Sequence, residues 1–107
     1  MATLEIIKDC GENYKYQGPR FSKLGPESGD EFRDKYLIPW LEKNSNADSL
    51  AVDFAGTIVY TPSFLEECFG GAIRKGYKIV ENLNFMNMPD DKRKQLEKYI
   101  AAAQPKK

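Results

Sequence analysis

The chain has 107 residues, with 16 basic and 16 acidic side chains and no histidine. That length fits one domain with one core. A net charge near zero argues against a protein built to neutralise phosphates, so nucleic acid is not the expected partner. The lack of histidine removes imidazole zinc ligation, Ser-His and Cys-His catalysis and the usual base near neutral pH. Two cysteines, Cys10 and Cys68, are too few for a disulfide scaffold. One bridge between them is conceivable, and two reduced thiols fit a cytoplasmic protein better. No apolar run approaches the ~20 residues of a membrane span, and the start lacks the features of a signal peptide. The expectation is a small soluble domain, one that binds or switches rather than an enzyme, with no cofactor and no metal.

Thr3, Leu4, Ile6 and Ile7 read as a first strand ending near Cys10-Gly11. Residues 11–27 hold Gly11, Gly18, Pro19, Gly25 and Pro26, which predict turns. Arg20-Phe21-Ser22 reads as a short strand between them, and Tyr14 and Tyr16 as another strand edge. Ser28 with Glu31 has the spacing of a capping box. The helix that follows puts Phe32, Tyr36, Leu37, Trp40 and Leu41 on one face and Arg33, Asp34, Lys35, Glu42 and Lys43 on the other. Pro39 predicts a kink or an early stop there.

Leu50, Val52 and Phe54 alternate in a second strand, which Ile58-Val59-Tyr60 extends. Thr61-Pro62-Ser63 starts a second helix, with Phe64, Leu65, Cys68, Phe69, Ala72 and Ile73 on its apolar face. Gly70-Gly71 lies mid-helix and predicts the close approach of another backbone. Arg74 and Lys75 complement the dipole in the last turn, and Gly76 caps it. Tyr77, Ile79, Val80, Leu83 and Phe85 make a third strand region. Met88-Pro89-Asp90-Asp91 opens a last helix that buries Leu96, Tyr99, Ile100 and Ala103. The order predicts an α/β fold, a mixed β-sheet with about three helices packed on it. Residues 1–103 form the single domain, and 104–107 a frayed C-terminal tail.

Two blocks then carry a resemblance. Gly18-Pro-Arg-Phe-Ser22 with Gly25-Pro-Glu-Ser-Gly-Asp-Glu-Phe-Arg33 resembles the front half of the STAS-like domain family of unknown function. Val52-Asp-Phe-Ala-Gly56 with Ser63-Phe-Leu-Glu-Glu-Cys-Phe-Gly-Gly71 resembles its middle. The likeness spans roughly residues 15–80. It implies a STAS-like α/β module similar to anti-sigma-factor antagonists and to modules found beside ATPases of the histidine-kinase-like fold. In the antagonists, such an ATPase phosphorylates a serine at the start of a helix that follows a buried strand, and the partner is released. The implied phosphoacceptors here are Ser63 and Thr61, because Pro62 stands where relatives tend to carry a small residue and cannot accept phosphate. The implied partner surface is Asp53, Thr61, Pro62, Ser63, Glu66 and Glu67, with Arg20 and Ser22 from the 18–29 loop.

Simpler readings stand beside these. Ser63 with Glu66 has the spacing of a second capping box, and Thr61-Pro62 is an equally good helix start. Asp53 reads as a solvated strand-end carboxylate. Glu66-Glu67 point about 100° apart and read as a solvated helix face rather than a paired acid site. Gly18-Pro19-Arg20 and Gly25-Pro26 lack both the Walker and the Rossmann spacing, so nucleotide binding is not expected. Lys92-Arg93-Lys94, Lys98 and Lys106-Lys107 read as a solvated face. The functional expectation is a regulatory protein-binding module, a partner-switching antagonist by resemblance. The rival is a small phage or mobile-element effector that blocks a host protein sterically, without phosphorylation. No nucleophile–base pair points to an enzyme.

Overall fold

The structure is a computed structural model and describes residues 1–103; the expected tail at 104–107 lies outside the described residues. Three strands form one sheet: β1 (Ala2–Glu5), β2 (Leu50–Asp53) and β3 (Asn84–Met86), in the order β1-β2-β3. Both pairings are parallel, with Leu4 opposite Val52 and Val52 opposite Phe85. The α/β class is as expected, but the sheet is parallel throughout rather than mixed. Each strand therefore needs a long crossover to its neighbour, and the helices supply it.

Helix α1 covers residues 29–43, α2 covers 62–74, and α3 is Asp90–Ala102. Sequential parallel strands with right-handed crossovers place α1 and α2 on one face of the sheet. That face carries Leu4, Val52 and Phe85 in one row, with Val52 fully buried. Phe69 of α2 packs edge-on against Phe85 at 5.2 Å, and Phe54 lies 6.2 Å from both rings. A second aromatic group, Tyr14, Phe32 and Phe64, ties the turn before α1 to both helices. On the opposite face of the sheet Thr3, Asn84 and Met86 are exposed.

Several local expectations are corrected. The first strand stops at Glu5, and Ile6–Cys10 is a single π-helical turn. Residues 12–15 form a 3-10 turn, and Tyr16 makes only an isolated parallel bridge to Val59. Ser22–Leu24 is another 3-10 turn, so the short strand at Arg20-Phe21-Ser22 does not form. Ile58-Val59-Tyr60 does not extend β2. Lys78–Asn82 is a 3-10 turn, which confines the third strand to Asn84–Met86.

Helix α1 runs through Pro39 to Lys43 instead of stopping. The wide π turn Arg33–Leu37 precedes the proline, and the Ile38 amide reaches back to the Arg33 carbonyl. Such a turn adds a residue, which shifts the carbonyl that would otherwise meet the pyrrolidine ring.

The glycine pair in α2 makes room for side chains rather than for a backbone. A Cβ at Gly71 would fall 2.7 Å from Arg33 Nη1, and one at Gly70 would fall 2.6 Å from Glu66 Oε2. The close backbone approach occurs at Gly29, whose Cβ would lie 2.6 Å from the Phe64 carbonyl oxygen. Among the described residues no helix is long and apolar enough to cross a membrane.

Candidate functional site

The first turn of α2 is built by three separated pieces of chain. Thr61 is the N-cap residue, Pro62 opens the helix, and Ser63 follows. Thr61 does not cap with its side chain. Its hydroxyl donates to the Gln17 carbonyl at 2.8 Å, and its amide donates to Gln17 Oε1 at 2.9 Å. Gln17 is itself buried, and its amide nitrogen has no partner among the described residues. Beside this anchor the Gln17 amide donates to Val59 O at 3.1 Å, pinning 15–17 against 58–59. The outer side of that pairing is apolar and open: Tyr16 is 57 % exposed, Ile58 60 % and Val59 43 %. Pro62 is exposed and Ser63 half-buried next to them.

The two candidate phosphoacceptors thus differ. Thr61 has spent its hydroxyl on a half-buried contact. Ser63 carries no side-chain hydrogen bond among the described residues, so the second capping box does not form. Its expected partner, Glu66, is engaged elsewhere.

Glu66 and Glu67 are not a solvated helix face. They are the centre of an ion network that joins α2 to the 18–29 loop and to α1. Arg20 Nη1 donates to Glu66 Oε1 at 2.5 Å and to Glu67 Oε1 at 3.1 Å. Arg74 grips Glu66 with both terminal nitrogens, at 2.5 and 3.2 Å. Arg33 donates to the Glu67 carboxylate and also to its carbonyl oxygen. The other side of the Arg33 guanidinium holds Asp34 bidentately, at 2.8 and 3.1 Å. Lys75 stands 3.6 Å from Asp34. Arg33 is only 7 % exposed, which corrects its assignment to the solvated side of α1. Burial opposes its charge, and the bonds to Asp34 and Glu67 overcome that, so its pKa is raised.

The same bonds act on the acids. The hydrogen bond from Arg74, helped by Arg20, holds the Glu66 carboxyl below its ordinary 4.5, and Arg33 holds Asp34 below 3.8. A depressed folded-state pKa means that the unfolded chain takes up protons first on acidification. The stabilisation is therefore complete above about pH 4.5 and drains away as pH falls through the folded values. We expect the urea midpoint to fall as pH is lowered from 5 to 3, and the fall to shrink in Glu66→Gln. An unchanged pH slope in that variant would contradict the pairing.

The remaining expected site residues lie apart from Ser63. Asp53 closes the turn after β2: Oδ1 accepts from the Ala55 amide at 2.8 Å and from Asn87 Nδ2 at 2.9 Å. Both bonds are solvent-exposed, so Asp53 is a strand-end carboxylate that also orients the turn after β2. Ser22 hydrogen-bonds Asp30 at the start of α1 through its amide, at 2.8 Å. Arg20 alone of the loop candidates reaches α2. Ser28 caps α1, accepting from the Glu31 amide at 3.3 Å, but it donates to Asp30 rather than pairing with the Glu31 side chain. Cys68 is fully buried, and burial holds its thiol well above the ordinary value. Cys10 is free and half-buried, pushed up to about 12 by burial and then by Asp9, so neither thiol is activated. Among the described residues no group of three or more Cys, Asp or Glu side chains is placed to hold a metal ion.

Sequence reasoning missed Arg33 and Arg74 as members of this cluster. A signal existed in hindsight of the geometry: Gly29, Arg33 and Leu37 recur at four-residue spacing, and Gly29 and Leu37 are both buried.

A small parallel sheet covered on one face by helices, with a helix start beside an exposed apolar patch, defines a small α/β module. The chain belongs to the family described as STAS-like domain of unknown function, whose model matches residues 28–93. The match begins at the N-cap of α1 and ends in the first turn of α3, so it includes α2 and the whole glutamate pair but not Gly18–Ser22. No curated protein and no solved structure matches the chain.

Proposed function

We propose that this chain is a regulatory protein-binding module that docks a partner on the first turn of α2 and the exposed Tyr16, Ile58 and Val59, with phosphorylation of Ser63 ending the contact. The observation that carries this reading is the uncommitted hydroxyl of Ser63, one residue into α2, beside three exposed apolar side chains. An added phosphate is tolerated by the positive end of a helix, yet it places up to two charges next to an apolar contact that must lose water to form. Phosphate on Thr61 would instead remove its bond to Gln17, so Ser63 is the acceptor and Thr61 a structural residue. Glu66 and Glu67 support the surface from behind rather than meeting the partner.

The STAS resemblance supplies the partner class, an ATPase of the histidine-kinase-like fold acting in the cytoplasm. Transfer forms the bond from Ser63 Oγ to phosphorus and breaks the bond to the β–γ bridging oxygen of the nucleoside triphosphate held by that partner. The hydroxyl proton leaves to the kinase. The test is to purify the tagged chain from its host and record its intact mass and its co-purifying proteins. A phosphate on Ser63, with the ATPase bound only to the unmodified form, is the expected result. An unmodified chain held tightly by an unrelated protein would replace the switch with the constitutive, effector-type reading.

A further inference from the structure

We infer that the outer edge of β3 and the side of α3 beside it form a second docking groove, which takes a basic, extended segment of a partner protein as an added strand. The inference does not rest on Ser63 or on the first turn of α2. That turn follows β2 and lies beyond the carboxyl ends of the strands. The groove begins before the amino end of β3, at Glu81 and Leu83.

The sheet order leaves β3 with a neighbour on one side only. The Phe54 amide donates to the Met86 carbonyl at 2.9 Å, and Met86 is in register with Asp53. Along a strand, alternate residues turn their backbone groups to opposite edges. Met86 and Asn84 therefore face β2, and the amide and carbonyl of Phe85 face outward. Neither is bonded to another backbone group among the described residues. The other edge is blunted by its own chain. Ala2 faces β2, donating to the Ser49 carbonyl, so Glu5 faces outward, and its amide donates to Asp9 Oδ2 at 2.8 Å. An outward N–H and C=O without partners are a template for a further strand.

Helix α3 does not close the β3 edge. It leans on α2, where a Cβ at Gly70 would stand 3.2 Å from Ala103 Cβ. A groove of about 250 Å³ remains, lined by Glu81, Leu83, Phe85, Glu97, Ile100 and Ala101. Buried Leu83 and Ile100 and half-buried Phe85 make it apolar within. Its volume is below the roughly 300–1,000 Å³ of small-molecule clefts, so it suits a side chain or two of a longer segment. Charge selects that segment. Glu81 and Glu97 are both exposed, no ion pair engages either among the described residues, and no lysine or arginine lines the groove. Side chains of an added strand alternate between faces. An apolar side chain opposite Phe85 enters the groove, and a Lys or Arg further along the same face meets a glutamate. Backbone pairing then supplies affinity, and the groove and its acids supply specificity.

The test selects short peptides from a random displayed library on the full chain, and titrates the selected peptide into the isotope-labelled chain. The expected peptides alternate apolar residues and carry Lys or Arg. Binding should shift the Phe85 amide resonance and slow its hydrogen exchange at least about tenfold. Glu81→Lys combined with Glu97→Lys should weaken binding at least about tenfold, whereas Glu12→Lys, beyond the carboxyl end of β1, should stay within about twofold. The amide spectrum of the double variant checks its fold, and if it does not fold, exchange at Phe85 in the parent chain decides. A library that yields no binder, or yields acidic peptides, would overturn the inference. So would shifts that gather at Tyr16, Ile58 and Val59 instead of Phe85. Self-association in sedimentation, with the Phe85 amide protected before any peptide is added, would give the edge to a second copy of the chain and overturn it as well.

Discussion

Glu67→Arg is expected to unfold the chain at neutral pH, although the residue lies on the charged side of its helix. Its carboxylate and its carbonyl oxygen both accept from Arg33, which is 7 % exposed. Removing one member of a buried ion pair typically costs about 3–5 kcal/mol, because the other charge stays buried without compensation. The substitution also brings a further guanidinium against Arg20, Arg33 and Arg74. Total stability of a small domain is about 5–15 kcal/mol, so the loss consumes much of it. Glu67→Gln keeps the shape and one acceptor, and should fall between the two. Urea unfolding of the three chains checks this. If Glu67→Arg stays within about 1 kcal/mol of the parent, the network is decorative, and the glutamates return to the list of surface residues.

Phe64→Ala should cost about 3–5 kcal/mol, the usual range for deleting a buried aromatic ring. Phe64 is 1 % exposed and lies 5.7 Å from the Phe32 ring and 6.2 Å from that of Tyr14. Its own backbone touches Gly29, so the helices cannot slide together to fill the space. Its neighbour Ser63 is half-buried and carries no side-chain hydrogen bond among the described residues, and Ile58 is 60 % exposed. Ser63→Ala and Ile58→Ala should therefore stay within about 0.5 kcal/mol of the parent. Thermal melts of the three variants separate the buried side of α2 from the exposed surface beside its first turn. A large loss in Ile58→Ala would place that residue in the core and remove it from the proposed surface.

The helices were legible because each carries its own periodicity and punctuation. Phe64, Leu65, Cys68, Phe69, Ala72 and Ile73 are all buried, as the spacing of α2 requires, and Pro62 and Gly76 bracket it. Residues 77–85 were not legible as a 3-10 turn and a three-residue strand, because β-propensity reports packing that only the assembled fold provides. Parallel pairing was hidden for the same reason: the choice of partner strand is not written in either strand.

The site was half visible. Pro62 beside Ser63 marked the start of α2, and the block Ser63–Gly71 carried the family. The ion network was invisible because its members are distant in sequence, 34 residues from Arg33 to Glu67 and 46 from Arg20 to Glu66. A Glu-Glu pair on a helix is ordinary surface until a fold brings arginines to it. The glycine pair was noticed, but its reason, space for those side chains, needed the partners in place.

The most direct measurement is the affinity of the proposed partner, an ATPase of the histidine-kinase-like fold, for this chain with serine and with phosphoserine at position 63, by calorimetry at fixed salt. The account predicts that the modified chain binds at least about tenfold more weakly, a difference of about 1.4 kcal/mol. Equal affinity for the two forms would contradict it, and would leave the exposed start of α2 as a surface that phosphorylation does not control.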